Sequence, residues 1–193
     1  MTGPAMTAAW GFALLASVGE REARVRQALE ARVAAGDAPG IQYSVVSGSE
    51  VLFEGAAGWA DLGSRRRLEP STTMMAYSMT KVVTAAAVLQ LVERGAVSLD
   101  APVRSYLPDV PYDDRLLVRH LLSQTSGIPN PIPLRWVHLP GDHAAFDERA
   151  RLAALLAEHG ELKFTPGARY GYSNLSYWLL GRLVERVTGA RSA

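Results

Sequence analysis

Cysteine is absent from the 193 residues, which excludes disulfides, thiolate metal sites, iron–sulfur clusters and a cysteine nucleophile. Its absence says nothing about compartment, because a chain without thiols is indifferent to redox poise. An excess of charge of one sign is lacking as well. The 20 basic and 19 acidic residues leave a formal net charge of +1, so neither a nucleic-acid footprint nor an acidic tail is present. No run of about 20 apolar residues offers a membrane span. There is no Gly-x-Gly-x-x-Gly run and no Gly-Lys-Ser/Thr triplet, so no dinucleotide or nucleotide cofactor is implied. What remains is 48% hydrophobic and 20% charged. That balance is too apolar for a disordered chain and suits one globular domain or part of a larger one.

Pattern and punctuation give the organisation. Ala8 to Val18 is mostly apolar, but the first basic residue is Arg21, and a secretory signal wants a positive start. Residues 1–19 therefore read as a flexible leader, and the expected location is cytoplasmic, with a periplasmic or secreted protein as the alternative. Glu20 to Ala35 carries Val25, Ala28, Leu29 and Val33 on one helical stripe. Ile41, Tyr43 and Val45 alternate like a strand, and Val51 to Gly55 returns after the Gly48-Ser49 turn. Gly63 to Arg67 reads as a solvated loop. From Ser78 to Arg94 the chain is apolar on nearly every face, which predicts a helix buried all round and ended by Gly95. Further helices are expected over Leu116 to Gln124, Phe146 to His159 and Leu175 to Val187. The proline-rich stretch from Ile128 to His143 should be irregular. A lone hairpin is marginal without further strands or helices packed on it, so the pattern predicts an α+β protein whose remaining strands lie outside this chain.

Lysine is scarce. Only Lys81 and Lys163 stand among the 20 basic residues; arginine supplies the ordinary charge. A lysine is informative where arginine could not substitute, and arginine cannot give up its proton. Lys81 follows Ser78 by three residues at the start of the apolar helix, and such positions share a face. A serine hydroxyl becomes a nucleophile when a neighbouring base removes its proton. Burial and the positive end of a helix both favour an uncharged amine. The helix start also presents N–H groups to a developing oxyanion. Taken alone, Ser-x-x-Lys reads equally as a helix cap followed by a snorkelling amine.

The surrounding residues add a resemblance. Thr72 to Lys81 (TTMMAYSMTK) resembles the active-site segment of the serine β-lactamase and penicillin-binding protein superfamily, in the branch of class C β-lactamases, D-aminopeptidases and family VIII carboxylesterases. Gly58-Trp59-Ala60-Asp61, Leu99 to Val103, and Tyr106-Leu107-Pro108 are similar to segments of that branch in the same order. Val118 to Gly127 is similar to its "LLTHTSG" helix and turn, with Gln124 where the branch often has His; that departure is expected to be structural. Phe164 to Gly167 leads into Tyr172-Ser173-Asn174, which resembles the family's Tyr-x-Asn motif. The resemblance runs from about Val25 to Gly189.

The resemblance implies a β-lactamase/DD-peptidase-like fold, with residues 20–193 as the N-terminal part of a single catalytic domain and the C-terminal strands missing from this chain. It implies Ser78 as the acylated nucleophile, Lys81 as its proton partner and Tyr172 as the phenol that shares or relays that proton. Asn174 would contact Lys81 and the substrate. Without Ser78 and Lys81, Tyr172 and Asn174 would read as an aromatic core residue and a helix cap. The family's third motif, a Lys- or His-x-Gly on a later strand, has no counterpart here. The expected function is a serine hydrolase acting on an ester, amide or β-lactam carbonyl, without cofactor or metal. No nucleic-acid or membrane-spanning partner is implied. The rival is a catalytically silent protein that keeps the fold for binding or scaffolding. Trp136 is expected to line an acyl pocket. His120 reads as a structural hydrogen-bond partner and His159 as complementing a helix end. His138 and His143, five apart and separated by Pro140-Gly141, lack the spacing of a helical zinc pair.

Overall fold

The computed structural model describes residues 5–131 and 140–190; Trp136 and His138 fall outside the described residues. The chain forms two compact units, Met1–Met75 and Ala76–Ala193.

In the first unit α1 (Ala5–Ala34) precedes β1 (Gly40–Val46), β2 (Val51–Asp61) and β3 (Arg66–Arg67). The helix begins well before Glu20, where five alanines, two leucines and a methionine between Ala5 and Val18 are good helix formers. The strands form an antiparallel sheet in the order β1-β2-β3, with Ile41 opposite Ala57 and Tyr43 opposite Gly55. The turn between β1 and β2 is held by Ser47, whose Oγ accepts the N–H groups of Ser49 and Glu50. Gly58 adopts φ +85°, and a Cβ there would stand 2.3 Å from the Pro39 carbonyl oxygen. Only glycine lets the chain entering β1 close on β2. The arginine run expected to be a solvated loop supplies β3 instead, and the Arg67 guanidinium lies 4.3 Å from the centre of the Trp59 ring. Cross-strand pairing and cation–π attraction together give those residues a partner that composition does not reveal.

The second unit is helical. A single 3₁₀ turn (Tyr77–Met79) runs into α2 (Thr80–Glu93), followed by a 3₁₀ turn at Val103–Ser105, α3 (Val118–Leu122), a 3₁₀ segment at Pro140–Ala145, α4 (Glu148–Glu158) and α5 (Asn174–Thr188). α5 places Leu175, Leu179, Leu180 and Leu183 on one stripe, all fully buried. They meet Val88 and Leu91 of α2, Val118 and Leu121 of α3, and Leu152 and Leu155 of α4 in one core. Each such leucine stabilises the unit by about 1.5–3 kcal/mol relative to an exposed one. Ser173 caps α5, its Oγ accepting the Ser176 N–H, and Gly189 ends it at φ +71°.

α2 departs from expectation. Only Val88 and Leu91 are buried, whereas Val82 and Val83 are 72% and 70% exposed. An apolar surface on every flank states what a helix can bury. In the described residues only one stripe faces the core, so Lys81 is half-buried and not enclosed. His120 does serve the backbone: its Nδ1 accepts the Leu117 N–H at 3.1 Å, and desolvation, with Arg119 beside it, keeps the ring below the usual imidazole range. No helix among the described residues is long and apolar enough to cross a membrane.

Candidate active site

Ser78 lies in the 3₁₀ turn that opens α2, and the residue before it, Tyr77, is held at φ +45°. A non-glycine residue in that region costs on the order of 1–3 kcal/mol, and here the bend leaves Ser78 exposed at the mouth of the helix. One turn on, Lys81 Nζ approaches Ser78 Oγ at 3.4 Å, a long contact. Its shorter bond, 2.7 Å, runs to Asn174 Oδ1.

Tyr172 and Asn174 come from a distant part of the chain, at the N-terminus of α5. Tyr172 Oη is 2.7 Å from Ser78 Oγ, across 94 residues of chain. It also lies 3.2 Å from Asn174 Oδ1, to which it donates. Lys81 Nζ is 5.1 Å from the centre of the Tyr172 ring and 5.7 Å from that of Tyr177. The Lys81 ammonium foremost, and the Ser78 hydroxyl after it, hold the Tyr172 phenol below its ordinary pKa. Tyr177 moves the other way, raised by burial and then by Tyr172. Ser78, Lys81, Tyr172 and Asn174 are thus one hydrogen-bonded group. Its chemical capacity is to draw a proton from the Ser78 hydroxyl and pass it between an amine and a phenol.

The segment after α3 shapes the stretch that carries Tyr172. Gln124 is buried at φ +58°. Its backbone oxygen accepts the Gly171 N–H at 2.8 Å and its Oε1 accepts the Ser173 N–H at 2.7 Å, so one residue clasps both neighbours of Tyr172. The Pro129 carbonyl accepts from Ser173 Oγ, and Asn130 Oδ1 accepts from the backbone N–H and Nδ2 of Asn174. Buried Ser126 and Ser176 join α5 to the same turn at 2.8 Å. Gln124 is therefore structural, in a specific way. Neither Asn130 nor Tyr177 was among the candidates from sequence. The signal available for Asn130 was scarcity, since the chain has only two asparagines, Asn130 and Asn174.

A cavity of about 670 Å³ opens at the far end of α5, beside Leu107, Leu156 and Arg186. Arg186 stands twelve residues from Asn174, on the order of 18 Å along the helix, so this cavity is separate from the Ser78 group. Among the described residues there is no group of three or more His, Cys, Asp or Glu side chains that could hold a metal ion.

The family pattern described as Beta-lactamase matches residues 25–193. The chain belongs to the beta-lactamase family. Among relatives in the beta-lactamase family, protein flp of Staphylococcus aureus is 26% identical over 178 residues, which are 88% of this chain and 34% of that protein. The D-stereospecific amidohydrolase from Streptomyces superposes with a TM-score of 0.67 at 32% identity, over 88% of this chain and 50% of that one. The D-amino acid amidase from Ochrobactrum anthropi gives a TM-score of 0.73 at 25% identity, over 86% and 45%. The fold is accordingly β-lactamase/DD-peptidase-like. The chain spans about a third of the length of the curated relatives it matches.

Proposed function

We propose that the chain carries the acylation machinery of a serine hydrolase, with Ser78 as the nucleophile toward an ester, amide or β-lactam carbonyl. The observation that carries this reading is the meeting of Lys81 Nζ and Tyr172 Oη on the same Ser78 oxygen. Lys81 Nζ donates to the Ser78 oxygen, while Tyr172 Oη, whose own proton points to Asn174 Oδ1, is placed to accept from it, so the hydroxyl can attack a carbonyl carbon as its proton leaves to the Tyr172–Lys81 pair. The same pair then protonates the departing alcohol or amine. Water attack on the acyl group, with the pair again taking a proton, frees Ser78. Tyr172 and Lys81 both touch Ser78 Oγ, and of the two Tyr172 makes the shorter contact, 2.7 Å against 3.4 Å. Asn174 keeps Lys81 within reach and offers its amide to the substrate side.

Relatives support the choice of substrate. The Streptomyces protein is called a D-stereospecific amidohydrolase and the Ochrobactrum protein a D-amino acid amidase. An amide carbonyl beside a D-configured carbon is therefore the first substrate class to try. The test is product release from D- and L-phenylalanine amide, a nitrophenyl ester and a chromogenic cephalosporin. We expect turnover or a stoichiometric burst with at least one of them, abolished by Ser78→Ala. A folded chain that neither turns over nor acylates with any would favour a silent protein that keeps the fold.

A further inference from the structure

We infer that Asn130 is a positioning residue whose carbonyl oxygen determines which end of the Asn174 amide faces Lys81. The inference rests on reading Ser78, Lys81 and Tyr172 as the acylating group. The two ends of an asparagine amide look alike, and only their partners tell them apart. The backbone N–H of Asn174 can only donate, and it lies 2.9 Å from the Asn130 side chain, so the Asn130 atom facing it is Oδ1. That same oxygen is 3.1 Å from one end of the Asn174 side chain, which must then be the donor Nδ2. The opposite end is Oδ1, and it receives Lys81 Nζ at 2.7 Å and the Tyr172 hydroxyl at 3.2 Å. Turning Asn174 over would set two oxygens against each other at Asn130 and two donors against each other at Lys81.

Asn130 is itself well held. It lies between Pro129 and Pro131, which restrict its backbone on both sides. Pro129 accepts from Ser173 Oγ, and the Ile128 N–H donates to buried Ser126 Oγ. A fixed acceptor next to a rotatable amide acts as a lock. Among the described residues Asn130 makes no hydrogen bond to Ser78 or Lys81; it acts through Asn174. The competing view is that Asn130 merely ties a loop to the start of α5.

Labelling the protein with ¹⁵N-asparagine gives two side-chain amides, and Asn130→Asp leaves that of Asn174 alone while keeping an oxygen acceptor. We expect the Asn174 Nδ2 protons to exchange with solvent at least tenfold faster in Asn130→Ala than in wild type, and near the wild-type rate in Asn130→Asp. The rate of Ser78 phosphonylation per folded molecule should fall on the order of 10- to 100-fold in Asn130→Ala, the scale of a misplaced reacting group, and recover in Asn130→Asp. Should Asn130→Ala not fold, Asn130→Ser carries the same readouts. Unchanged exchange and unchanged phosphonylation in the folded Ala or Ser variant overturn the inference. So does a lower melting temperature with phosphonylation per folded molecule intact, the mark of a loop tie alone. Wild-type protein with a protected Asn174 amide but no reaction at Ser78 refutes the acylating reading and leaves the lock standing.

Discussion

Removing one oxygen, by Tyr172→Phe, separates chemistry from stability in this site. The Tyr172 hydroxyl makes the shorter of the two side-chain contacts to Ser78 Oγ, 2.7 Å against 3.4 Å for Lys81. A positioned acid–base group contributes roughly 100- to 10,000-fold, so acylation of Ser78 should slow by that factor, about 3–5 kcal/mol in barrier. Stability should change little. Tyr172 is 38% exposed, and the net worth of such a hydrogen bond is about 1 kcal/mol or less. The pH profile gives a second reading. Lys81 and Ser78 lower the Tyr172 pKa, so the base form grows as pH rises through that lowered value, and the wild-type rate should rise with it and level above. The variant should lose this rise. The assay is stopped-flow phosphonylation across pH with urea unfolding of the same samples. A variant that reacts at the wild-type rate, or one that loses activity only in proportion to lost fold, refutes Tyr172 as a proton carrier.

Gln124→Ala leaves the buried Ser173 N–H without its acceptor and should cost about 1–3 kcal/mol in urea unfolding, with Gln124→Glu, which keeps an oxygen, losing less. Gly127→Ala forces a side chain onto φ +79° with its Cβ 2.2 Å from the Phe164 carbonyl oxygen, so denaturation should show a loss of more than about 1 kcal/mol. Tyr112 donates to the His159 carbonyl, and burial pushes its phenol up to about 12. Because its folded pKa exceeds the unfolded value near 10, its contribution is whole below about pH 10 and is lost as pH climbs toward 12. Stability measured from pH 9 to 12 should fall for wild type and fall less for Tyr112→Phe.

Much of the fold was legible where periodicity was strong. The alternation of Ile41, Tyr43 and Val45 marked β1, and the leucine stripe of α5 marked the helix that organises the second unit. Ser78 and Lys81 stood out because a helical spacing of three lies within one turn and lysine is rare in this chain. Tyr172 and Asn174 needed the resemblance, since no local rule joins positions 94 residues apart. Gln124 and Asn130 were hidden for a related reason: they work through bonds to residues 171–174, and polar loop residues carry no mark of their partners. The expected burial of α2 failed because composition shows capacity for contact, and contact depends on which neighbours arrive. The short strand at Arg66–Arg67 escaped notice because two arginines carry no strand signal without Trp59 opposite.

The most direct measurement is the mass of the intact chain after reaction with a fluorophosphonate or a penicillin, followed by peptide mapping. A serine nucleophile predicts one adduct, on Ser78, absent from Ser78→Ala and strongly reduced in Lys81→Arg, whose guanidinium stays charged and cannot serve as a base. An adduct on another residue, or a folded chain that gains no mass, would contradict it.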